Sequence, residues 1–365
     1  MRIRYRKWEE WMTRELGRHR DLRSVFNYLL ITTDGDVQRA LRRMEQLNAR
    51  FGFFDEKTTP QRFREMLMEE GVIREEPDGR LGMTTKGERG IRRDALDRIF
   101  SRLQTGRGRG DHRVPDAGDG GEPLPETREW KFGDTTFDIA ANLTLENAFR
   151  RGGLDEFSLT EDDIAVHERE NLTGCATVVL LDISHSMILY GEDRITPAKE
   201  VSLALLELIR TRYPKDSLHV AVFGDDATEI PPERLPYVKV GPFHTNTKAA
   251  LQLAQRILAR RKQPNKQIFL VTDGKPSAVY EEGRLYKNSF GLDPKIVNKT
   301  LDEATICKRR GIVISTFMVA QDLHLVNFVE RLTEINRGRA YYTGLDDLGR
   351  FLFVDYVRNR KRRTF

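Results

Sequence analysis

The chain has 365 residues, enough for two domains with cores of ordinary size. Its 61 basic and 56 acidic residues give a formal charge of +5, modest when 32% of the chain is charged, which indicates solubility and makes nucleic-acid binding unlikely. Its two distant cysteines, Cys175 and Cys307, predict reduced structural thiols, and no apolar run suits a signal peptide or a transmembrane segment, so we expect a cytoplasmic protein.

Residues 1–103 predict a mainly helical N-terminal domain. Asp36 can cap one helix, and Thr59-Pro60 begins another. Two short strands around the Asp78-Gly79 turn and a helix to about Leu103 follow, an arrangement that resembles the tail of a winged-helix module.

The last helix of this region carries a set of arginines that could contact nucleic acid: Arg89, Arg92, Arg93, Arg98 and Arg102. A helix with charged outer positions is more often simply solvated. No aromatic-basic stacking pattern accompanies these arginines, so a docking or scaffolding role is favoured over nucleic-acid recognition.

The composition changes at residues 104–127 to Gly, Pro, Asp and Arg, which is typical of a flexible linker. The tripeptide Arg109-Gly110-Asp111 within it is best interpreted as chance. Residues 128–170 predict a connecting segment that packs on the next domain, with a short helix at 142–151 and an edge strand at 164–166.

Residues 171–365 alternate strands with helices, as a parallel sheet requires, and end in a basic tail. The predicted strands end near Asp182, Phe223, Ile230, Thr272, Val319 and Thr343. The pattern predicts an α/β fold with a doubly wound, mostly parallel, six-stranded Rossmann-like sheet. If the first strand lies beside the fourth, Asp182 and Asp273 meet at the switch point where such sheets bind ligands.

Small oxygen-bearing side chains follow the first buried strand. Asp182, Ser184 and Ser186 leave it at two-residue spacing, so they point to one side and can converge on a hard cation such as Mg2+. Thr245, just before a predicted helix, and Asp273, in Thr272-Asp273-Gly274, can supply further oxygens. Each fragment alone is weak, but the three together favour a metal site.

These three fragments, in this order, resemble the metal-ion-dependent adhesion site of von Willebrand factor A (VWA) domains. The resemblance implies that the hydroxyls of Ser184, Ser186 and Thr245 approach Mg2+ or Mn2+. It also implies that Asp182 and Asp273 act directly or through water, and that a partner's carboxylate completes the shell. His185 stands where this family usually has glycine.

The loops around this point predict an aromatic and hydrophobic rim that suits a protein partner. Its members are Met187, Tyr190, Phe243, His244, Tyr280, Tyr286 and Phe290. The segment 278–291 is longer than a strand-to-helix connection needs, and we predict that it reads partner identity.

The chain has no Gly-x-Ser-x-Gly elbow around Ser184 or Ser186 and no P-loop, so we predict a binding protein and not an enzyme. Its architecture is similar to bacterial VWA proteins that partner MoxR-type AAA+ ATPases and, distantly, to the magnesium-chelatase D subunit, which implies an adaptor role. Two alternatives stay open. One is a Mg2+-dependent phosphohydrolase using Asp182 or Asp225, and the other is an RNA-associated protein using the arginine-rich N-terminal region.

Overall fold

The computed structural model describes residues 21–56, 58–105, 123–131, 136–153, 158–169, 174–191, 193–241, 243–288, 292–319, 323–342 and 348–359. The chain divides into two compact units. One combines residues 1–107 with 175–365, and the other is formed by residues 108–174. The N-terminal region therefore shares a unit with the second predicted domain instead of standing apart from it.

The described part of the N-terminal region contains three helices, a hairpin and a long fourth helix. They are α1 (Leu22–Thr32), α2 (Val37–Phe51), α3 (Pro60–Glu69), β1 (Ile73–Glu75), β2 (Leu81–Met83) and α4 (Thr85–Thr105). Asp36 accepts a hydrogen bond from the backbone N–H of Arg39, and Thr59 accepts one from that of Arg62. The predicted helix starts and the antiparallel β1–β2 hairpin are thus confirmed.

The smaller unit contains β3 (Pro123–Glu129), α5 (Ala141–Gly152) and β4 (Ala165–Arg169). β3 and β4 pair antiparallel. The linker predicted to run to residue 127 thus gives way to a strand by Pro123. Its tripeptide Arg109-Gly110-Asp111 lies outside the described residues.

The larger unit is built on a six-stranded sheet, flanked by helices and an extra hairpin. In chain order, the first four strands of the sheet are β5 (Cys175–Asp182), β6 (Ser217–Phe223), β7 (Ala227–Ile230) and β8 (Asn265–Thr272). The separate hairpin follows, with strands β9 (Ala278–Glu281) and β10 (Arg284–Lys287). The last two strands of the sheet are β11 (Ile312–Met318) and β12 (Arg339–Tyr342). The sheet order is β12-β11-β8-β5-β6-β7, and only β7 runs antiparallel. The predicted fold is confirmed, including the first strand beside the fourth.

Helices cover both faces of the sheet. They are α6 (Ile195–Arg212), α7 (Thr247–Ala259), α8 (Pro294–Arg309), α9 (Leu323–Asn336) and α10 (Leu348–Asn359). Side chains alternate along β5, so Val178 and Leu180 join a core with α7, α8 and α9. Val179 and Leu181 join a second core with α6, α10 and the N-terminal helices. One continuous core therefore connects the N-terminal region to the sheet.

Polar contacts reinforce this junction between α6 and the N-terminal region. Arg92 pairs with Glu207 at 3.3 Å, and Arg98 pairs with Glu200 at 2.7 Å. Only 5% of the Arg92 side chain is exposed. The expectation of a solvated helix face is wrong for these two arginines, and they are not available to an external nucleic acid.

A third ion pair of this junction joins Lys199 of α6 to Asp34, in the turn between α1 and α2. The Lys199 Nζ lies 2.8 Å from Oδ1 of Asp34, and the lysine side chain is fully buried. Burial lowers the pKa of Lys199, while the charge of Asp34 opposes that change. The N-terminal region thus supplies the counterion for a charge inside the larger unit.

The two cysteines are both buried, and burial raises the pKa of Cys307 to about 12, as suits a structural thiol. No described helix combines the length and hydropathy that crossing a bilayer requires.

Candidate metal centre

Asp182, the last residue of β5, is the most buried member of the candidate site, with no exposed surface. Its Oδ1 accepts a hydrogen bond from the backbone N–H of Ser184 at 2.9 Å, and its Oδ2 accepts one from Thr272 Oγ1 at 2.6 Å. Thr272, the last residue of the neighbouring strand, therefore helps to fix the carboxylate. Sequence reasoning missed this role because Thr272 also reads as an ordinary strand residue.

The three predicted hydroxyl groups lie together next to Asp182. Ser184 Oγ is 3.0 Å from Ser186 Oγ, and Thr245 Oγ1 is 3.1 Å from Ser184 Oγ. Ser186 Oγ donates to Asp273 Oδ1 at 2.6 Å. The structure thus brings all five residues predicted to bind metal into one cluster at the carboxyl ends of β5 and β8.

Gly274 leaves open the point on which several of these oxygens converge. A Cβ atom at this position would lie 2.8 Å from Thr245 Oγ1, 3.1 Å from Ser186 Oγ and 3.6 Å from Asp182 Oδ2. Three oxygens from three segments of the chain therefore surround one small space. An oxygen-only donor set of this kind fits a hard cation such as Mg2+.

The electrostatics of the cluster also fit a cation. Burial, with the neighbouring charge of Asp273, raises the pKa of Asp182 to about 7. Burial likewise raises the pKa of Asp273, against hydrogen bonds from Ser186 and Arg194. Two carboxylates that resist ionisation side by side would be stabilised in their charged form by a bound cation. Among the described residues, no group of three His, Cys, Asp or Glu side chains is placed to hold a metal, and this cluster instead combines two carboxylates with three hydroxyls.

Arg194 is a member of the site that sequence reasoning missed. Its Nη1 donates to Asp273 Oδ2 at 2.6 Å, and 12% of its side chain is exposed. The partners are 79 residues apart in the chain, so no local pattern signals the contact.

His185 does not have a left-handed backbone conformation, although VWA domains usually have glycine at this position. Among the described residues, positive φ at non-glycine positions occurs only at Asp34, Glu282 and Arg337. Residues His185–Gly191 form a 3-10 helix. The change from glycine to histidine therefore causes no backbone strain here.

The predicted rim is only partly exposed. Phe243, Tyr280 and Tyr286 expose 39%, 42% and 37% of their surface. His244 is half-buried, and its backbone N–H and its Nδ1 lie 2.7 and 3.1 Å from Asp225 Oδ1.

The remaining rim predictions fare differently. Met187 is fully buried in the core, and its prediction as a surface residue is wrong because the 3-10 helix turns this side chain inward. The side chain of Tyr190 and the whole of Phe290 lie outside the described residues.

The segment that follows Asp273 forms a β-hairpin, which the sequence analysis did not predict. β9 and β10 are joined by Glu282 and Gly283, with φ values of 47° and 78°. Two left-handed residues in a row are what a tight hairpin turn of this length requires.

The base of the hairpin is bound to the metal-site loop. Thr245 N donates to Ser277 Oγ at 3.0 Å, and Ser277 N donates to Thr245 O at 2.9 Å. The hairpin is therefore fixed to one of the candidate ligands.

Comparisons with known proteins agree with this fold. A family model described as "Rv0959-like protein, vWA domain" matches residues 175–357, and one described as "Rv0959-like protein, third domain" matches residues 122–169. The uncharacterized proteins Rv0959 of Mycobacterium tuberculosis and Mb0984 of Mycobacterium bovis are each 31% identical over 306 residues, which is 81% of this chain and 44% of theirs. The chain thus spans less than half the length of these curated relatives.

Solved structures with similar folds are more distant. The vWF domain of the type V pili tip protein Mfa5 from Porphyromonas gingivalis has a TM-score of 0.42 and 14% identity, over 53% of this chain and 98% of that one. The SpRpn10 VWA domain has a TM-score of 0.36 and 16% identity, over 48% and 93%. The PilB minor pilin from Streptococcus sanguinis has a TM-score of 0.41 and 15% identity, over 56% and 66%. Since the first family model covers half of the chain, this protein belongs to the Rv0959-like family of VWA-domain proteins.

Proposed function

We propose that this protein binds a partner protein through Mg2+ or Mn2+ at the candidate metal centre. Asp182, Ser184, Ser186, Thr245 and Asp273 would hold the ion. The observation that carries this proposal is the convergence of Thr245 Oγ1, Ser186 Oγ and Asp182 Oδ2 on the space beside Gly274.

The composition of the donor set favours capture of an acid. Three of the five side chains are neutral hydroxyls, and one of the two carboxylates, that of Asp273, already has a cationic partner in Arg194. When bound, a divalent ion supplies positive charge that these groups do not fully neutralise. A carboxylate from outside is the ligand that such an ion prefers.

The exposed aromatic residues near the site support a protein as the source of that carboxylate. Tyr280 and Tyr286 lie on the hairpin whose base is fixed to Thr245, and Phe243 precedes Thr245 by two residues. Large and fairly rigid side chains of this kind are enriched in interface hot spots.

The test is calorimetric titration of MgCl2 into the wild type and into Asp182→Ala and Ser184→Ala. We expect saturable binding to the wild type and at least about tenfold weaker binding to each variant, because a metal ligand or its positioning group is lost. Ser202→Ala is a matched control, since Ser202 is a fully buried serine of α6 whose hydroxyl donates to Ala198 O. Unchanged Mg2+ binding in Asp182→Ala would contradict the proposal.

By resemblance, we further propose a MoxR-type AAA+ ATPase as the partner, with this chain acting as an adaptor in the cytoplasm. A pull-down of such an ATPase should succeed with the wild type and fail with Asp182→Ala. The variant is a cleaner test than a chelator, because chelation also removes the Mg2+ that the ATPase needs for its nucleotide. Equal recovery with both proteins would contradict metal-mediated contact.

Hydrogen bonds to two carboxylates favour a binding role over a phosphohydrolase. Asp225 Oδ1 already accepts from the backbone of His244, and Asp182 is buried with both of its oxygens hydrogen-bonded. Asp182 is therefore held as a buried ligand and not presented as a nucleophile, and Oδ1 of Asp225 is already occupied. Mg2+-dependent turnover of p-nitrophenyl phosphate that is lost in Asp182→Ala would overturn the non-catalytic proposal.

A further inference from the structure

Arg194 is placed to act on the metal centre without being a ligand. It lies directly before α6, and its backbone N–H donates to Met187 O at 3.1 Å, which ties it to the loop that carries Ser184 and Ser186. Its guanidinium group donates to Asp273 Oδ2, while Ser186 donates to Oδ1 of the same carboxylate. The carboxylate of Asp273 is fully buried, so this contact is little screened by solvent.

The charges around the centre give Arg194 a specific effect. With both carboxylates ionised, Asp182 and Asp273 contribute two negative charges, and Arg194 cancels one of them. A divalent ion then leaves the loaded centre with one net positive charge. Without Arg194 the loaded centre would be neutral, the ion would bind more tightly, and an incoming carboxylate would be attracted less.

We propose that Arg194 sets the charge balance of this centre, weakening its hold on the metal and strengthening its hold on a single external carboxylate. This inference rests on the proposed function. Arg194 is then a positioning and charge-balancing residue. It favours a partner that provides one monoanionic acid group as a ligand of the metal.

The experiment measures Mn2+ binding by electron paramagnetic resonance, with and without sodium acetate at constant ionic strength. Arg194→Gln removes the charge and keeps a hydrogen-bond donor, whereas Arg194→Lys keeps the charge. The matched control is Arg92→Gln, because Arg92 is also a largely buried, ion-paired arginine, and its partner, Glu207, belongs to the α4–α6 junction. Circular dichroism melts verify that each variant is folded.

We expect Arg194→Gln to bind Mn2+ about tenfold more tightly than the wild type, as one unit charge near a partly buried ion would predict. Acetate should increase the apparent Mn2+ affinity of the wild type more than that of Arg194→Gln, since coupling between two ligands is reciprocal. Arg194→Lys and Arg92→Gln should resemble the wild type in both measurements.

The possible failures are distinguishable. A wild type that binds no Mn2+ overturns the proposed function and this inference together. A wild type that binds Mn2+, with an Arg194→Gln variant that binds it equally or more weakly, overturns the inference alone and assigns Arg194 a purely structural role. Opposite shifts in metal and acetate affinity cannot arise from a general loss of structure.

Discussion

Replacing Asp34 with Asn tests whether the N-terminal region stabilises the VWA domain by pairing a buried charge. Asp34 has a φ of 54°, a backbone conformation that Asn adopts readily, so the substitution removes the charge with little other change. Lys199, which is fully buried, then loses its counterion. We expect the free energy of unfolding to fall.

The structure limits the size of this effect. At worst Lys199 sheds its proton, which at pH 7 costs about 5 kcal/mol for a group with an ordinary pKa near 10.5. Because 30% of the Asp34 side chain is exposed, solvent already screens part of the interaction. We therefore expect a loss of about 2 kcal/mol.

The assay is urea unfolding followed by circular dichroism. Glu69→Gln is the control, since the Arg62–Glu69 pair leaves 49% and 61% of its side chains exposed. It should change the free energy of unfolding by less than about 0.5 kcal/mol.

The effect of Asp34→Asn should also depend on pH. The Lys199 pKa is lowered in the folded state, so at alkaline pH the unfolded chain binds a proton that the folded chain lacks, and stability rises with pH. The deficit of Asp34→Asn should therefore shrink between about pH 7 and pH 10.

Lys199→Met provides the refuting comparison. It removes the buried charge and leaves Asp34 partly hydrated, so it should cost less than about 1 kcal/mol. If Lys199→Met destabilises the protein as much as Asp34→Asn does, an unpaired buried lysine is not the cause of the lost stability, and loss of the Asp34 charge does not explain it.

Two further predictions address the metal centre and the sheet. Gly274→Ala should abolish Mg2+ binding in calorimetry while the protein stays folded, because its Cβ would lie 2.8 Å from Thr245 Oγ1. The control is Gly90→Ala in α4, which should bind Mg2+ normally because the nearest atom to its Cβ would be 3.7 Å away. Asn336→Ala should lower the free energy of unfolding by at least about 2 kcal/mol, because it removes buried hydrogen bonds to the backbones of Ile314, Ala304 and Ile312. A loss of less than half that amount in urea unfolding would show that the surrounding strands and helices satisfy these groups in another way.

The parts of the fold that follow local rules were predictable. A capping residue such as Asp36 and the pair Thr59-Pro60 act within one helical turn, so their pattern is visible in a short stretch of sequence. The buried strands were visible as apolar runs. The general topology of doubly wound sheets then sufficed to place Asp182 beside Asp273.

The parts that depend on distant partners were not predictable. Charged side chains usually face solvent, yet Lys199 and Glu200 of α6 are both buried because the N-terminal region covers that side of the helix. Asp34 is 165 residues away from Lys199, and Arg194 is similarly remote from Asp273. The burial of Met187 likewise depends on how its loop turns, which no periodic pattern records.

Because α6 shares its core with the N-terminal helices, the VWA domain of this protein should not fold as an independent module. A fragment beginning at Cys175 would expose the apolar flank that Phe26, Leu30 and Ile91 now help to cover, together with an orphaned lysine. Experiments that exchange or truncate modules should therefore keep residues 21–105 together with residues 175–359.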